Sequence, residues 1–373
     1  MSLGQKLAPE FRLIQRIVPM ALTQSVPAVA QRSSLEARAV VRRWLIAVAG
    51  LIFLMVLVGG ATRLTESGLS ITQWKPVTGI MPPLSGAEWQ AEFDRYKQIP
   101  QFAELNPDMT LAGFKTIFWW EWSHRLLARL IGAAFVIPGL WFWRSGLLKG
   151  ALGRELAVAT GLLALEPIVG WWMVTSGLSE RTEVAQERLA LHLMIAAATF
   201  GALIYAAIGL SDRRPVAAAP RGFKSSALVF AALVYCQLGL GALVAGLRAG
   251  LLYNTWPLMG SSWIPGEAFK PSWPQAMLDD PATAQLDHRA LAYVVLAFAL
   301  LQALAALRAA PASPLARRSV ILAAAAMFQV ALGVATLLSF APVPLALAHQ
   351  ALALALFGLA VAHLRATEME QST

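Results

Sequence analysis

The sequence is poor in cysteine, in charge and in histidine. Its 373 residues include one cysteine, Cys236, so an internal disulfide and a metal site built on cysteine pairs are excluded. Cys236 falls within an apolar segment, where we expect a small buried thiol. Charged residues make up 14% of the chain, whereas about a quarter is usual in soluble domains. There are only five histidines, so any recurring arrangement of them is informative.

The rest of the composition is typical of a membrane protein. Hydrophobic residues account for 57% of the chain and the mean hydropathy is +0.59, which predicts an integral membrane protein. The net charge of +9 comes largely from basic residues in short connections between apolar segments. That distribution orients a protein in a bilayer, so no nucleic acid is expected as a partner.

Eight apolar segments are long enough to span a bilayer, since a spanning helix needs roughly 20 residues. We predict them at residues 42–62, 124–143, 154–175, 187–210, 226–247, 288–308, 317–339 and 344–364. Basic residues follow the even-numbered segments, and most acids follow segments one, three and five. This alternation predicts that both termini lie on the cytoplasmic side.

The chain therefore divides into five parts. They are a basic cytoplasmic N-terminal tail (1–41), an N-terminal four-helix bundle (42–210), a cytoplasmic linker (211–225), a C-terminal four-helix bundle (226–364) and a cytoplasmic C-terminal tail (365–373). The first part is rich in arginine and poor in acids, which is also typical of a mitochondrial transit peptide. We favour the cytoplasmic tail, because such tails carry the same positive charge.

The two bundles look like copies of each other. Glu121-Trp122-Ser123-His124-Arg125 matches Gln285-Leu286-Asp287-His288-Arg289, at the start of the second span of each bundle. Because each copy has four spans, both copies have the same orientation in the membrane. The predicted fold is an all-α integral membrane protein, with eight transmembrane helices in two tandem four-helix bundles. A pseudo-twofold axis along the membrane normal would relate the bundles.

Four histidines recur at the outer starts of the even-numbered spans: His124, His192, His288 and His349. Each bundle thus contributes one histidine from its second helix and one from its fourth. Two imidazoles on facing helices can ligate a metal from opposite sides, as in a bis-histidine haem. Zinc would need further ligands that neither bundle offers nearby. His363 has no counterpart, and we expect it to be structural.

Charged residues near these histidines suggest further roles. Arg63, Arg125 and Arg289 are expected to contact the anionic haem propionates at the membrane surface. Glu121 precedes His124 by one helical turn, so both side chains can face one pocket if the helix begins early.

The two bundles differ in their acids. Glu121 corresponds to the uncharged Gln285, which makes the first bundle the better candidate for chemistry. Glu166 is a second intramembrane acid and corresponds to Gln329. We rank it below Glu121, because the predicted topology places it deeper in the membrane.

Several motifs resemble the haem A synthase family. They are Gly59-Gly60-Ala61-Thr62-Arg63-Leu64-Thr65-Glu66-Ser67-Gly68-Leu69-Ser70 with Trp74, Pro76, Gly79 and Pro82-Pro83, then Phe114-Lys115, Glu121-Trp122-Ser123-His124-Arg125 and Gly170-Trp171-Trp172-Met173-Val174 with Ser176-Gly177-Leu178. The resemblance runs from about residue 40 to 365 and is to the proteobacterial and mitochondrial type. Glu166-Pro167 departs from the glutamine-glycine type of sequence expected there.

The resemblance implies an enzyme that oxidises the C8 methyl group of haem O to a formyl group, giving haem A for terminal oxidases. His288 and His349 would ligate a haem b cofactor, and His124 and His192 the iron of the substrate haem O. Glu121 would be the catalytic acid. The location would be the bacterial inner membrane with the haem sites toward the periplasm, or alternatively the mitochondrial inner membrane.

The resemblance also implies partners. A haem O synthase would act upstream, and oxidase assembly factors downstream. The electron donor, such as a ferredoxin or a quinol, and the oligomeric state, a monomer or a homo-oligomer, stay open.

Two other functions fit parts of the pattern. A non-catalytic di-haem b electron carrier would also need two histidine pairs, but its haems would lie at different depths. The four histidines here fall on one side of the membrane. A porphyrin or metal transporter would need broken helices at mid-membrane, and only Glu166-Pro167 favours it.

Overall fold

The structure, a computed structural model, describes residues 9–211, 219–270, 272 and 275–371, with side chains from residue 35 onward. Regular structure in these residues is helical, apart from one isolated bridge between Met259 and Ser262. The α-helices are α1 (Pro9–Leu64), α2 (Gly86–Tyr96), α3 (Pro100–Leu105), α4 (Leu111–Arg144), α5 (Gly150–Thr175), α6 (Gln186–Gly209), α7 (Phe223–Gly246), α8 (Gln275–Asp279), α9 (Pro281–Ala309), α10 (Pro314–Leu338) and α11 (Val343–Gln371). The prediction of an all-α chain is confirmed.

In the part of the chain that the structure describes, eight helices are long and apolar enough to cross a membrane. They are α1 from Leu35 onward, α4, α5, α6, α7, α9, α10 and α11. Each covers one of the predicted spans, apart from a single residue at the end of three of them, so the predicted number of spans is confirmed.

Two of these helices begin well before the predicted span. α4 begins at Leu111 and not at residue 124, because Thr110 caps it by accepting a hydrogen bond from the backbone N–H of Gly113. α9 begins at Pro281 and not at residue 288, because Asp280 caps it. Capping residues, and not the edge of the apolar run, set where a helix starts. His124 and His288 therefore lie well inside their helices although each begins its predicted span, and the early helix start that the relation of Glu121 to His124 requires is confirmed.

The C-terminal tail predicted at residues 365–373 is largely part of α11. This helix continues to Gln371. Arg365 donates a hydrogen bond to Glu155 Oε1 over 2.9 Å and another to Tyr205 Oη over 2.8 Å. These bonds attach the end of α11 to α5 and α6, so the residues of the predicted tail continue the last helix.

At the N-terminal end, the predicted tail and the first span share one helix. α1 passes through residue 42 without a break, and Val41 is buried. Most arginines of the predicted tail, and Arg213 and Arg214 of the predicted linker, lie outside the residues whose side chains are described.

Cys236 is exposed on α7, so the expectation of a buried thiol is wrong. It shares its side of the helix with Val229 and Ala232, which are also exposed. A spanning helix presents an apolar side to lipid. An apolar sequence therefore does not distinguish burial in protein from exposure to the bilayer.

The centre of the molecule is formed by four helices. α1 and α6, from the first half of the chain, pack against α7 and α11, from the second half. α4 packs on α1, α5 on α6, α9 on α7, and α10 on α11, so these four helices lie outside the central set.

Two reciprocal contacts mark the crossing of α6 and α11. A Cβ added at Gly201 would lie 2.9 Å from the ring of Phe357, and one added at Gly358 would lie 2.8 Å from the ring of Phe200. The pairs Phe200-Gly201 and Phe357-Gly358 occupy matching places in the two halves. A two-fold relation would give such contacts, although the axis itself stays a prediction.

The halves differ on their outer sides. α9 packs along α10, which closes the second half, whereas in the described residues α4 and α5 do not pack along each other. α5 is also the least buried of the eight spans. The first half is therefore more open than the second.

The chain between α1 and α4 folds into an outer layer, residues 65–110. Its apolar cluster packs against the part of α4 that precedes His124; the cluster contains Leu69, Trp89, Phe93, Tyr96, Ile99, Phe114, Phe118 and Val174. The Tyr96 hydroxyl donates a hydrogen bond to Gln101 Oε1 over 3.1 Å. Burial raises the pKa of Tyr96 to about 12. This layer gives the first turns of α4 a support outside the membrane.

The crossing of α6 and α11 predicts a difference between two glycine substitutions. Gly201→Ala should lower the thermal unfolding temperature of the protein in detergent, because the methyl group meets the Phe357 ring. Overpacking of this kind costs about 1–3 kcal/mol.

The matched control is Gly161→Ala in α5, where an added Cβ has no neighbour within 4 Å. It gains the higher helix propensity of alanine, about 1 kcal/mol. If Gly201→Ala unfolds at the same temperature as Gly161→Ala or higher, the close crossing does not exist.

Candidate functional site

Each of the four recurring histidines lies against a glycine of a neighbouring helix. The contacts pair His124 of α4 with Gly59 of α1, His192 of α6 with Gly170 of α5, His288 of α9 with Gly241 of α7, and His349 of α11 with Gly333 of α10. A Cβ added at these glycines would lie 3.1, 3.1, 3.2 and 2.7 Å from an imidazole atom. Small residues let helices approach closely in a membrane. Here the four glycines leave room for the imidazole rings of the facing histidines.

The second-half pair, His288 and His349, is positioned by two glutamines. The ring centroids are 6.4 Å apart, and the ring planes meet at 75°. Gln237 Nε2 lies 3.0 Å from His288 Nδ1 and also donates to the His288 carbonyl over 3.0 Å. Gln329 Nε2 lies 3.1 Å from His349 Nδ1 and donates to the His349 carbonyl over 3.0 Å. Both imidazoles are thus oriented by a neutral amide.

The first-half pair, His124 and His192, has different neighbours. Glu166 Oε2 lies 2.7 Å from His192 Nδ1, at the place where the second half has a glutamine. Met55 stands four residues before Gly59, as Gln237 stands four before Gly241, so His124 has no equivalent amide at that position.

Glu121 is buried, with 3% of its surface exposed, and its carboxylate is held by three donors. Oε2 accepts hydrogen bonds from the Ser70 hydroxyl and from the Ile71 backbone N–H, both over 2.7 Å. Oε1 accepts one from Arg125 over 2.6 Å. Arg125 also donates to the carbonyl of Ile71 over 2.8 Å and to that of Gln73 over 3.1 Å. Glu121 and Arg125 together attach the outer layer to α4.

The second half repeats this attachment without the acid. Arg289 donates to the carbonyl of Thr255 over 2.9 Å and to that of Tyr253 over 2.8 Å. Gln285, the counterpart of Glu121, donates to the same Tyr253 carbonyl over 3.1 Å. Both arginines expected at haem propionates are therefore already bonded to loop carbonyls, and propionate contact stays a prediction for them.

Arg63 joins the two halves. It donates to Glu183 over 2.6 Å and approaches the carbonyl of Ala245 at 3.3 Å. Arg248 of the second half pairs with Glu66 over 2.5 Å and with Glu183. The hydrogen bond to Glu183 raises the pKa of Arg248. Propionate contact by Arg63 likewise stays a prediction.

Each histidine pair can supply only two ligands, so it suits a metal ion whose other ligands come from a bound group. Metal–imidazole bonds of about 2.0–2.1 Å on opposite sides of one ion put ring centroids roughly 6–7 Å apart. The 6.4 Å separation of the His288 and His349 rings meets this requirement. Among the described residues, no three or more His, Cys, Asp and Glu side chains come together as a metal cluster. Two imidazoles are enough for haem, whose porphyrin fills the other four positions.

His363 lies apart from these pairs. It is 14 residues beyond His349 on α11, or about 21 Å along the helix axis. It is buried, with 1% exposed, and neither ring nitrogen has a partner among the described residues. Its structural assignment stays a prediction.

Three kinds of contact to the histidines were not foreseen from the sequence. Glu166 was ranked below Glu121, yet of the two it is Glu166 that lies within hydrogen-bond distance of a histidine ring. The role of Gln237, and the four glycines behind the histidines, were also missed. The only available signal was spacing, because Glu166 and Gly170 are separated by one helical turn, as are Gln329 and Gly333.

The fold and the site define a class of protein: helical membrane proteins in which two pairs of histidines project from facing helices. Comparison with known proteins narrows this class. Residues 42–361 match the family described as cytochrome oxidase assembly protein.

Curated relatives agree with this match. The chain is similar to a protein named "Heme A synthase" from Rhodopseudomonas palustris strain BisA53, at 53% identity over 87% of this chain and 90% of the relative. It is also similar to proteins of the same name from Mesorhizobium japonicum, at 48% identity over 93% of this chain and 96% of the relative, and from Sinorhizobium fredii, at 48% over 87% and 89%. The chain therefore belongs to the haem A synthase family, whose members are membrane-bound enzymes.

The histidine–glycine contacts predict the effect of a single methyl group. Gly333→Ala should weaken haem retention by the second-half pair about tenfold or more, because the added Cβ would lie 2.7 Å from His349 Cε1 and the ring must move. The measurement is the haem absorbance per protein after purification.

Gly132→Ala in α4 is the control, since an added Cβ there has no neighbour within 4 Å. Equal haem content in the two variants would show that Gly333 does not support the ring of His349.

Proposed function

We propose that this protein oxidises the C8 methyl group of haem O to a formyl group and so produces haem A. The names and the extent of identity of its relatives support this reaction. The observation that carries it is the difference between the two histidine pairs. One pair is held by neutral amides alone, whereas the other has a carboxylate against its ring and a second carboxylate one helical turn from His124.

The second half holds the cofactor, haem b. Two glutamines fix the rings of His288 and His349, and packing of α9 along α10 closes this half. Both features suit a group that stays bound. When bound, haem b supplies one-electron transfer between an external donor and the substrate site.

The first half binds the substrate, haem O, through His124 and His192. The iron of haem O would be held between these two imidazole rings, as the iron of haem b is in the second half. The first half has the acids Glu121 and Glu166 where the second half has glutamines. The open side between α4 and α5 supports this assignment, because a lipid-soluble substrate must be able to arrive and its product to leave. In the second half, the corresponding side is closed by the packing of α9 along α10.

The reaction replaces hydrogens of one methyl group in two stages. Two successive two-electron oxidations convert the methyl group to a gem-diol, each replacing one C–H bond by a C–O bond. If the oxygen atom comes from dioxygen, two electrons from the external donor and two protons reduce the other oxygen atom to water. If it comes from water, an external acceptor must take the two electrons. Loss of water from the gem-diol leaves the formyl group.

His124 and His192 orient the substrate, and the outer layer covers this half on its outer side. Glu121 acts from a fixed position, because Ser70, Ile71 and Arg125 hold both of its oxygens. We assign it to proton transfer or charge stabilisation at the substrate.

The same proposal covers the placement in the membrane. Both termini lie in the cytoplasm and the histidine pairs lie toward the periplasm, following the charge alternation of the connections. The two halves form four-helix bundles related by a pseudo-twofold axis along the membrane normal, which the reciprocal contacts of Phe200 and Phe357 support. A haem O synthase upstream and oxidase assembly factors downstream complete the scheme.

Haem extraction tests the proposed function directly. The full chain, co-expressed with a haem O synthase and purified, should contain haem B together with haem O or haem A. Chromatography of the extracted haems measures this. Two haems B per chain, with haem O present in the cells, would instead identify a di-haem b electron carrier.

A pair of variants separates chemistry from structure at Glu121. Glu121→Gln should leave the haem b spectrum intact and abolish conversion of haem O, because the amide keeps the shape of the side chain but not its charge. Chromatographic assay of haem A formation gives the readout.

The matched variant is Ser70→Ala, which removes one donor to Glu121 and leaves the carboxylate, Ile71 and Arg125 in place. Loss of that hydrogen bond costs about 1–3 kcal/mol of stability, and most activity should survive. Equal loss of activity in both variants, or loss of haem from both halves, would make Glu121 a structural residue.

A further inference from the structure

Glu166 is the acid that the proposed reaction has not used. It lies within α5, a membrane span, and its side chain is 16% exposed. Oε2 lies 2.7 Å from His192 Nδ1, but the two atoms are not aligned as a hydrogen bond, so the ring must turn slightly for Nδ1 to donate to this oxygen. Oε1 is buried and has no partner among the described residues. Acids inside a membrane are costly to retain, so a specific partner points to a function.

The second half provides a built-in comparison. Glu166 stands four residues before Gly170, which lies against His192, and Gln329 stands four residues before Gly333, which lies against His349. The scaffold is therefore the same in both halves. Only the group next to Nδ1 of the imidazole differs. It is the Glu166 carboxylate at His192 and the Gln329 amide at His349.

This difference has a chemical consequence. A neutral imidazole has one N–H donor and one lone pair. A carboxylate only accepts, so it selects the form of His192 that carries its proton on Nδ1 and leaves the lone pair of Nε2 for a metal. It also makes the imidazole a stronger electron donor. The Gln329 amide is neutral. Because its nitrogen can only donate, it is the Gln329 oxygen, which has no partner among the described residues, that must accept the Nδ1–H when His349 ligates iron through Nε2.

We propose that Glu166 is a positioning residue that accepts the Nδ1–H of His192, and that this makes His192 a stronger ligand than His349. The inference rests on the proposed function, because it takes His192 as a ligand of the substrate iron. A stronger donor stabilises oxidised iron over reduced iron, since second-shell hydrogen bonds tune the reduction potential. The first-half haem therefore has the lower potential of the two.

A reciprocal exchange tests this proposal. Glu166→Gln gives the first half the group of the second, and Gln329→Glu does the reverse. Both are made in the full chain, co-expressed with a haem O synthase. Midpoint potentials of the two haems are read by optical titration, and the ligand field of each is read by electron paramagnetic resonance of the ferric protein.

Glu166→Gln should raise the potential of the first-half haem and change its resonance, while the second-half haem keeps the wild-type values. Conversion of haem O should persist, because the resembled family has glutamine at this place, so the potential and the resonance are the readouts of the test. Gln329→Glu should lower the potential of the second-half haem alone. If Glu166→Gln loses the first-half haem altogether, Gln329→Glu decides the question.

Unchanged spectra and potentials in both variants would overturn the proposal, as would equal shifts at both haems. These results are distinct from failure of the proposed function. A wild-type protein with haem B in both halves and no haem O would refute the function, yet Glu166→Gln would still shift the first-half haem. A wild-type protein that converts haem O, with Glu166→Gln indistinguishable from it, would refute the role of Glu166 alone.

Discussion

The packing of an imidazole ring against a glycine is the contact on which the rest of this structure depends. A histidine that points between two membrane helices needs space that any other facing residue would fill. Four glycines provide that space, each at one helix–helix contact. Because the ring and the glycine must be level with each other, each contact sets both the rotation and the height of its two helices. Each helix that carries one of these four histidines is therefore positioned by a neighbouring helix that carries the facing glycine and none of the four histidines.

On this shared scaffold the polar groups are free to differ. Gln329 and Glu166 occupy equivalent places but offer a neutral amide and a carboxylate to their histidines. In a medium of low polarity such a difference is felt strongly, because no water screens it. The halves also differ in the packing of their outer helices, since α9 and α10 pack together while α4 and α5 do not in the described residues. One repeat can thus hold a cofactor and the other admit a substrate.

The outer ends of the helices are joined by arginines that bond to backbone carbonyls. Arg125 and Arg289 each hold the loop that follows the first span of their half. Loop carbonyls that are removed from water need donors, because an unsatisfied buried polar group is costly. The same arginines were expected to contact the haem propionates. A guanidinium can do both only if some of its N–H groups are not already bonded to loop carbonyls. Arg125 bonds to two carbonyls and to Glu121 through its terminal nitrogens.

The sequence by itself determined the membrane class and the number of spans, and it singled out four recurring histidines as candidate ligands. Each of these rests on local composition or on spacing within one repeat, which needs no knowledge of neighbouring helices. Helix starts were less accessible, because caps such as Thr110 and Asp280 lie outside the apolar runs. The exposure of Cys236 was not accessible at all, since lipid and protein interior favour the same residues. Which groups touch the histidines was decided only by the tertiary structure. Glu166, Gln237 and the facing glycines come from other helices than their histidines. The packing of the helices brings these groups together. Spacing along one helix shows that Glu166 and Gly170 repeat as Gln329 and Gly333, but it does not show which histidine they face.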